Sequence, residues 1–306
     1  MNRTAVVTVE GLRKVYGQVV AVDGISFQVY QGEIFGMVGP NGAGKTTTIE
    51  CVQGLRVPDE GTIRVLGLDP QRDGYHLRER IGVQLQESAL PDRIRVREAL
   101  DLYASFYSRT RDWRPLLEQL GLGDCADRYY LKLSGGQKQR LAIALALVGN
   151  PEILFLDELT TGLDPQARRA MWDLVRDIRQ QGVTVFLTTH YMEEAERLCD
   201  RVLIIDRGRI VALDTPEALI AKLGSETRLV FTPGDAFRPG PLLALPPVSR
   251  VERAGERVVV YGRGDGLLSS VVRLAEEQGW SLRNLRVEEP TLEDVFLTLT
   301  GRQMRG

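Results

Sequence analysis

Residues 39–46 read Gly-Pro-Asn-Gly-Ala-Gly-Lys-Thr, and they follow a short apolar run at residues 33–38. The spacing fits the pattern G-x-x-x-x-G-K-[ST], in which glycines let backbone N–H groups face a phosphate chain. A helix that begins at Gly44 would add its positive end to the same site. A plain glycine-rich turn is the alternative, but every fixed position of the pattern matches in a strand-to-helix context. The loop therefore predicts a nucleotide-phosphate site in an α/β fold.

The residue types in this loop have distinct uses. Lys45 can reach the β- and γ-phosphates, Thr46 can coordinate Mg²⁺, and Thr47 offers a hydroxyl to the α-phosphate. The predicted phosphate-binding set is Gly39, Pro40, Asn41, Gly42, Ala43, Gly44, Lys45, Thr46 and Thr47.

A second stretch, residues 133–140, reads Leu-Ser-Gly-Gly-Gln-Lys-Gln-Arg and leads into the apolar run at 141–144. Ser134, Gly135 and Gly136 would start a helix whose free N–H groups and serine hydroxyl can bind an anion. Capping of that helix by Ser134 is the plainer alternative, and the two roles are compatible.

Residues 153–158 form an apolar run that ends in two carboxylates, Asp157 and Glu158. Such a run is typical of a buried parallel strand that delivers an acid to the edge of the sheet beside a bound phosphate. Asp157 would then belong to the Mg²⁺ shell, and Glu158 would polarise the attacking water as a general base. Taken alone, the pattern is equally compatible with an ordinary strand end.

The loop at 39–46, the signature at 133–140 and the carboxylates together resemble the nucleotide-binding subunit of an ATP-binding-cassette (ABC) transporter. The resemblance covers roughly residues 4 to 222 and implies ATP and Mg²⁺ as ligands. It also implies a head-to-tail dimer, in which the signature of one subunit closes over the ATP held by the loop of the other. Isolated monomers should therefore hydrolyse ATP poorly.

Further site residues are implied only by this resemblance. Tyr16 corresponds to the aromatic residue that stacks on adenine, and Gln137 and Asp164 belong to the signature and to the loop that crosses the dimer interface. The implied catalytic residues are Glu158, His190 and Gln86; the implied Mg²⁺ residues are Thr46, Gln86 and Asp157. Gln84 competes with Gln86 for the glutamine position. The family pattern has proline where this chain has Leu159, which removes a rigid turn residue directly after Glu158.

Composition excludes several other classes of protein. The 306 residues carry a net charge of -2, which gives no electrostatic reason to expect nucleic acid as a partner. Cys51, Cys125 and Cys199 are widely spaced and accompanied by two histidines, so neither a disulfide framework nor a zinc site is indicated. No stretch approaches the about 18 apolar residues of a spanning helix, and no signal peptide is expected. A membrane role therefore requires a partner.

The chain is long enough for two domains, and its amino-acid composition changes near residue 224, after which prolines and glycines interrupt short candidate strands. We expect an ABC-type cassette at 1–224, with a parallel-sheet core, N-terminal antiparallel strands and a helical subdomain at about 88–150. Residues 225–306 are expected to form a small α+β domain. Its candidate strands are 228–232, 248–252, 258–261 and 280–287, around a helix at 267–278.

The ending at 288–297, Glu-Glu-Pro-Thr-Leu-Glu-Asp-Val-Phe-Leu, resembles ATPase subunits of drug and antibiotic exporters of the daunorubicin-resistance type. This implies efflux of a drug, antibiotic or lipid through a separately encoded transmembrane permease, at the cytoplasmic face of the membrane. The chain would act there as a homodimer or beside a paralogous ATPase. The alternatives are a soluble ABC-type ATPase of translation or DNA repair, an importer ATPase, and a purely regulatory nucleotide binder.

Overall fold

The computed structural model describes residues 3–84, 90–223, 226–234, 237–264 and 266–301. Its strands are β1 (Ala5–Tyr16), β2 (Val19–Tyr30), β3 (Ile34–Val38), β4 (Glu60–Val65), β5 (Ile81–Gln84), β6 (Ile153–Asp157), β7 (Thr184–Thr189), β8 (Arg201–Asp206), β9 (Arg209–Asp214), β10 (Glu226–Pro233), β11 (Val248–Ala254), β12 (Arg257–Arg263) and β13 (Leu282–Glu288). Its helices are α1 (Lys45–Val52), α2 (Gly74–Arg78), α3 (Val96–Ala104), α4 (Trp113–Gln119), α5 (Gly135–Leu147), α6 (Pro165–Gln180), α7 (Met192–Leu198), α8 (Pro216–Lys222), α9 (Gly240–Leu243), α10 (Leu267–Gln278) and α11 (Leu292–Thr300).

A six-stranded sheet in the order β5-β6-β7-β3-β8-β9 forms the centre of the first unit, and its pairs are parallel except β8 with β9. Strands β3, β6 and β7 are buried along their whole length, which explains why they read as continuous apolar runs rather than as an alternation. The expected α/β fold with a parallel core is confirmed.

The N-terminal strands form a separate antiparallel sheet in the order β2-β1-β4. An aromatic cluster joins it to the parallel sheet: Phe27 of β2 stacks on Phe35 of β3 at 5.6 Å between ring centroids, and Phe35 meets Phe186 of β7 edge-on at 5.2 Å. Offset and edge-on aromatic pairs of this kind add to the free energy gained by burial. The strand β3, which leads into the glycine loop, therefore packs against β2 of the antiparallel sheet as well as β7 of its own sheet.

The described residues between 90 and 150 are mainly helical and contain α3, α4 and α5. The signature at 133–140 contains the N-cap residue Ser134 and the first turns of α5. Among the described residues, no helix combines the length and the apolar composition that crossing a bilayer requires.

The chain divides into two compact units, with the break between Pro216 and Glu217. In the second unit an antiparallel sheet, β11-β12-β10-β13, packs its apolar face around Leu229, Phe231 and Val260 together with Val271 of α10. Each unit has its own hydrophobic core. The boundary that the sequence predicts at residue 224 stays a prediction.

Candidate functional site

The carboxyl ends of β3, β6 and β7 lie side by side in the parallel sheet. Val38 pairs with Thr189, and Asp157 pairs with Thr188. Because parallel strands end at the same edge, the residues that follow them converge there. The glycine loop, Glu158 and His190 are the segments that this edge brings together.

The loop has positions that only glycine can occupy. Gly44 has φ 105°, and a Cβ atom added to it would lie 2.5 Å from the carbonyl oxygen of Ala21. A Cβ atom at Gly39 would lie 2.2 Å from the carbonyl oxygen of Ile205. Gly44 then serves as the N-cap of α1, without a side chain between the helix start and a ligand. The backbone is therefore shaped so that an anion can approach it closely.

Lys45 begins α1 and turns back over the loop. Its Nζ donates hydrogen bonds to the carbonyl oxygens of Gly39, at 2.9 Å, and of Pro40, at 3.3 Å. The side chain is only 4% exposed, whereas the neighbouring Thr46 is exposed and Thr47 is half-buried. The ammonium group is thus fixed at the mouth of the loop.

Glu158 lies between two groups that can carry positive charge. Its Oε1 is 3.4 Å from Nζ of Lys45 and 3.4 Å from Nδ1 of His190. The Nδ1 atom of His190 is buried and makes no hydrogen bond to any of the described residues. A buried polar atom without a hydrogen bond is costly, so this ring nitrogen is suited to contact a ligand in the site.

Burial sets the charge balance of the site. It lowers the pKa of the Lys45 ammonium, although the carboxylates of Glu158 and Asp157 oppose that shift. It also raises the pKa of the Asp157 carboxyl, while a hydrogen bond from the hydroxyl of Thr188 favours the ionised form. A phosphate beside Lys45 and a divalent cation beside Asp157 would each favour the charged form of these groups. The residues present therefore fit both a nucleotide phosphate and Mg²⁺.

Thr188 is a residue of the site that sequence reasoning missed. Its hydroxyl donates to Asp157, and its carbonyl oxygen accepts the N–H of Glu158 at 3.1 Å. Both carboxylate residues are therefore oriented by one threonine of the neighbouring strand. The signal was the pair Thr188-Thr189 at the end of an otherwise apolar run.

The turn after β6 explains how the chain accommodates leucine in place of proline. The N–H of Thr161 donates to the carbonyl oxygen of Glu158 at 3.2 Å, so Leu159 is the second residue of a turn, where proline is otherwise favoured. The side chain of Leu159 is 3% exposed. Buried apolar contact thus anchors this turn in place of a proline ring.

The signature forms a capping box at the start of α5. The hydroxyl of Ser134 accepts the N–H of Gln137 at 3.3 Å, and the side chain of Gln137 accepts the N–H of Ser134 at 2.9 Å. Because the Ser134 oxygen accepts this bond, its own proton stays available to an anion. The plainer capping role is therefore present, and it leaves the anion-binding role open.

Gly135 and Gly136 face open space. A Cβ atom at either position would meet no atom within 4 Å, and neither residue has a positive φ. Neither backbone conformation nor packing within the described chain explains these glycines. A ligand or second molecule that approaches closely would explain both.

The remaining predicted residues occupy separate positions. Tyr16 ends β1 with its side chain 40% exposed, and Arg56 lies 5.3 Å from its ring centroid. Asp164 is the N-cap of α6 and accepts the N–H groups of Gln166 and Ala167, both at 2.9 Å. Gln86 lies outside the described residues, whereas Gln84 ends β5 with its side chain buried.

Comparison with known proteins gives a consistent result. The family model described as ABC transporter matches residues 22–161. Nod factor export ATP-binding protein I of Ralstonia nicotianae is 41% identical over 313 residues, which cover 100% of this chain and 97% of the relative. Daunorubicin resistance ATP-binding protein DrrA3 of Streptomyces coeruleorubidus is 39% identical over 98% of this chain and 97% of the relative.

Solved structures agree with the sequence comparisons. The ATP-binding subunit of an ABC transporter superposes with a TM-score of 0.65 at 28% identity and covers 72% of this chain and 94% of its own. The dimeric bacterial ABC transporter cassette MJ0796 superposes with a TM-score of 0.61 at 26% identity, over 68% of this chain and 98% of its own. A post-hydrolysis form of that dimer binds ADP and Pi.

Proposed function

The chain belongs to the ATP-binding subunits of ABC transporters and is an ATPase, and from this premise we propose that it powers an exporter through a separate membrane subunit. The observation that carries the ATPase part of this proposal is the position of the Glu158 carboxylate, which lies 3.4 Å from the ammonium of Lys45 beside the glycine loop. The names of the relatives, Nod factor export and daunorubicin resistance, favour efflux of a drug, antibiotic or lipid.

The chain's own side chains divide the work of hydrolysis. The loop at 39–47 and Lys45 hold the phosphates, and Glu158 accepts a proton from the attacking water as general base. His190, whose Nδ1 makes no hydrogen bond within the described part of the chain, contacts the γ-phosphate. Mg²⁺, when bound, neutralises phosphate charge, and Thr46, Asp157 and Gln86 are its proposed protein ligands. Tyr16 offers an exposed ring face to the adenine.

The complete site needs two copies of the cassette. Ser134, Gly135, Gly136 and Gln137 of one chain would close over the ATP held by the other, with Asp164 at the same interface. The open space above Gly135 and Gly136 supports this arrangement, because it leaves room for a phosphate to reach the helix start. Dimeric solved cassettes are similar to this chain. We propose a homodimer or a dimer with a paralogous ATPase.

A groove in the cassette is the proposed docking site of the permease. Its cavity of about 640 Å³ is lined by Val83 and Leu90, which flank the segment 85–89 that contains Gln86, and by aromatic residues including Tyr75 and Phe106. The side chains of Tyr75 and Phe106 are 75% and 64% exposed, and Leu55, which also lines the groove, is 56% exposed. Apolar side chains that share one exposed groove are typical of a protein-interaction site. This docking would place the chain at the cytoplasmic face of the membrane.

Phe106→Asp should weaken binding to the permease by about tenfold or more, because the change places a charge in an apolar contact. ATP binding by the isolated chain should not change. Leu102→Asp is the matched control, since Leu102 is 46% exposed on α3 and does not line the groove. Recovery of the permease with each purified variant measures the effect; equal recovery with Phe106→Asp and with the wild type would contradict the docking site.

The transporter assignment can be tested with a hydrolysis-deficient chain. We would express tagged Glu158→Gln in the native host, solubilise membranes with ATP present, and identify the co-purifying proteins by mass spectrometry. A polytopic membrane protein that copurifies in stoichiometric amount is the expected result. Ribosomes or DNA-associated proteins in its place would instead establish a soluble ABC-type ATPase of translation or DNA repair.

A further inference from the structure

The backbone of Glu158 is strained. Its φ is 49°, in the left-handed region that residues other than glycine rarely adopt. Such a conformation persists only where the surroundings hold it in place. A turn, and not a helix or strand, directly follows Glu158, so the position of its carboxylate depends on how that turn is held.

Hydrogen bonds to the neighbouring strand β7 hold the backbone of Glu158 on its amino side. The N–H of Glu158 donates to the carbonyl oxygen of Thr188 at 3.1 Å and lies 3.3 Å from its hydroxyl. These bonds fix the position at which the residue leaves β6. The peptide that follows is held separately, because the carbonyl oxygen of Glu158 accepts the N–H of Thr161 at 3.2 Å.

The following turn is held by a side chain from the signature helix. Nε2 of Gln139, in α5, donates a hydrogen bond to the carbonyl oxygen of Leu159. The side chain of Leu159 is 3% exposed, so this turn is anchored by packing on one side and by Gln139 on the other. Gln139 is itself partly buried, which shields the bond from water.

We infer that Gln139 is a positioning residue for hydrolysis, which holds the turn after Glu158 so that the carboxylate stays aimed at the phosphate site. The inference rests on the role proposed above for Glu158. Gln139 touches neither ATP nor water in this scheme. It connects the helix whose first residues bind the partner's ATP with the turn that orients the base, so the same helix serves both sites of the dimer.

Gln139→Glu is the sharpest test, because the side chain keeps its shape while an ionised carboxylate cannot donate to the carbonyl of Leu159. We expect kcat for ATP hydrolysis by the full-length chain to fall about three- to tenfold, the range associated with one lost hydrogen bond. The affinity for ATP should change less than about twofold, because the loop that binds the phosphates is untouched.

The pH profile separates positioning from general damage. As pH falls, the carboxyl group introduced by Gln139→Glu takes up a proton and can donate again, so the kcat of this variant relative to wild type should rise. Gln139→Ala has no group to protonate at this position. Its kcat should fall by the same factor, and the ratio of its kcat to that of the wild type should not depend on pH. The alanine variant also keeps the inference testable if the partly buried carboxylate of Gln139→Glu prevents folding.

Gln71→Glu is the matched control. Nε2 of Gln71 donates to the carbonyl oxygen of Arg56 at 3.0 Å, so the same kind of bond is lost at a surface position. Wild-type kcat for this control and the predicted fall for Gln139→Glu would support the inference. Unchanged kcat in Gln139→Ala, or a ratio for Gln139→Glu that does not depend on pH, would overturn it. Wild-type turnover in Glu158→Gln would overturn the proposed function itself, so the two failures are distinguishable.

Discussion

Glu158→Gln should lower the turnover of ATP by about 10²- to 10⁴-fold, the range that general acid–base groups contribute. The amide has nearly the shape of the carboxylate, but it cannot accept the proton of the attacking water. It also removes the negative charge that lies 3.4 Å from Lys45. Binding of ATP should therefore persist or strengthen, and the ATP-bound dimer should accumulate.

Phosphate release and equilibrium binding of ATP, measured on the same preparation, test this prediction. Glu152→Gln is a matched control, because Glu152 lies just before β6 and pairs with Arg80 at the surface, away from the loop. That variant should turn over ATP at the wild-type rate. Equal turnover by wild type and Glu158→Gln would remove Glu158 from its proposed role.

Lys45→Ala should instead weaken the binding of ATP, by about 10- to 100-fold, which corresponds to the loss of a charge-assisted hydrogen bond. The ammonium is the cation that faces the loop, and its removal would leave the carboxylates of Asp157 and Glu158 near an anionic ligand. Repulsion would then add to the loss of the bond. A fall in turnover without a change in affinity would contradict this account.

Titration with ATP by calorimetry provides the measurement, with thermal unfolding as a check on the fold. Lys222→Ala removes a lysine of α8, far along the chain from the loop, and should bind ATP as the wild type does. The pair Lys45→Ala and Glu158→Gln is informative because one variant should fail at binding and the other at hydrolysis.

Sequence alone predicted the parts of the fold that depend on local patterns. The runs at 153–156 and 184–187 could be identified as buried parallel strands, because both faces of β6 and β7 are covered and these positions are almost all apolar. The glycine loop could be located because its backbone conformation and close contacts admit no side chain at Gly39 and Gly44.

Strand ends were harder to predict, because tertiary contacts decide them. The sequence places Trp280 at the start of a strand, but β13 begins at Leu282. Gly279 ends α10 in the left-handed conformation, and the N–H of Trp280 donates back to the carbonyl oxygen of Ala275. This turn buries the indole in the core of the second unit, so the strand begins two residues later than the sequence predicts.

In the site, too, the residues that a local sequence pattern encodes could be predicted, and those that act through tertiary contacts could not. Residue types and spacing indicated Lys45, Asp157 and Glu158, since their chemistry is encoded in single positions. The contribution of Gln139 could not be predicted, because it acts through a hydrogen bond to a residue far away in the sequence. The pair Thr188-Thr189 indicated a polar strand end, but only the folded chain shows the hydrogen bond from Thr188 to Asp157. The consequence of leucine at position 159 likewise depends on burial, which only the folded chain reveals.

The most direct test of the account is sedimentation equilibrium of Glu158→Gln with ATP, beside the double variant that also carries Gly135→Asp. No atom lies within 4 Å of a Cβ at Gly135, so the second change should not disturb the fold, but it places an anion where the partner's phosphate would bind. We expect ATP to convert Glu158→Gln to a dimer, and the double variant to bind ATP and stay a monomer. Dimers in both, or in neither, would contradict the shared ATP site on which the account depends.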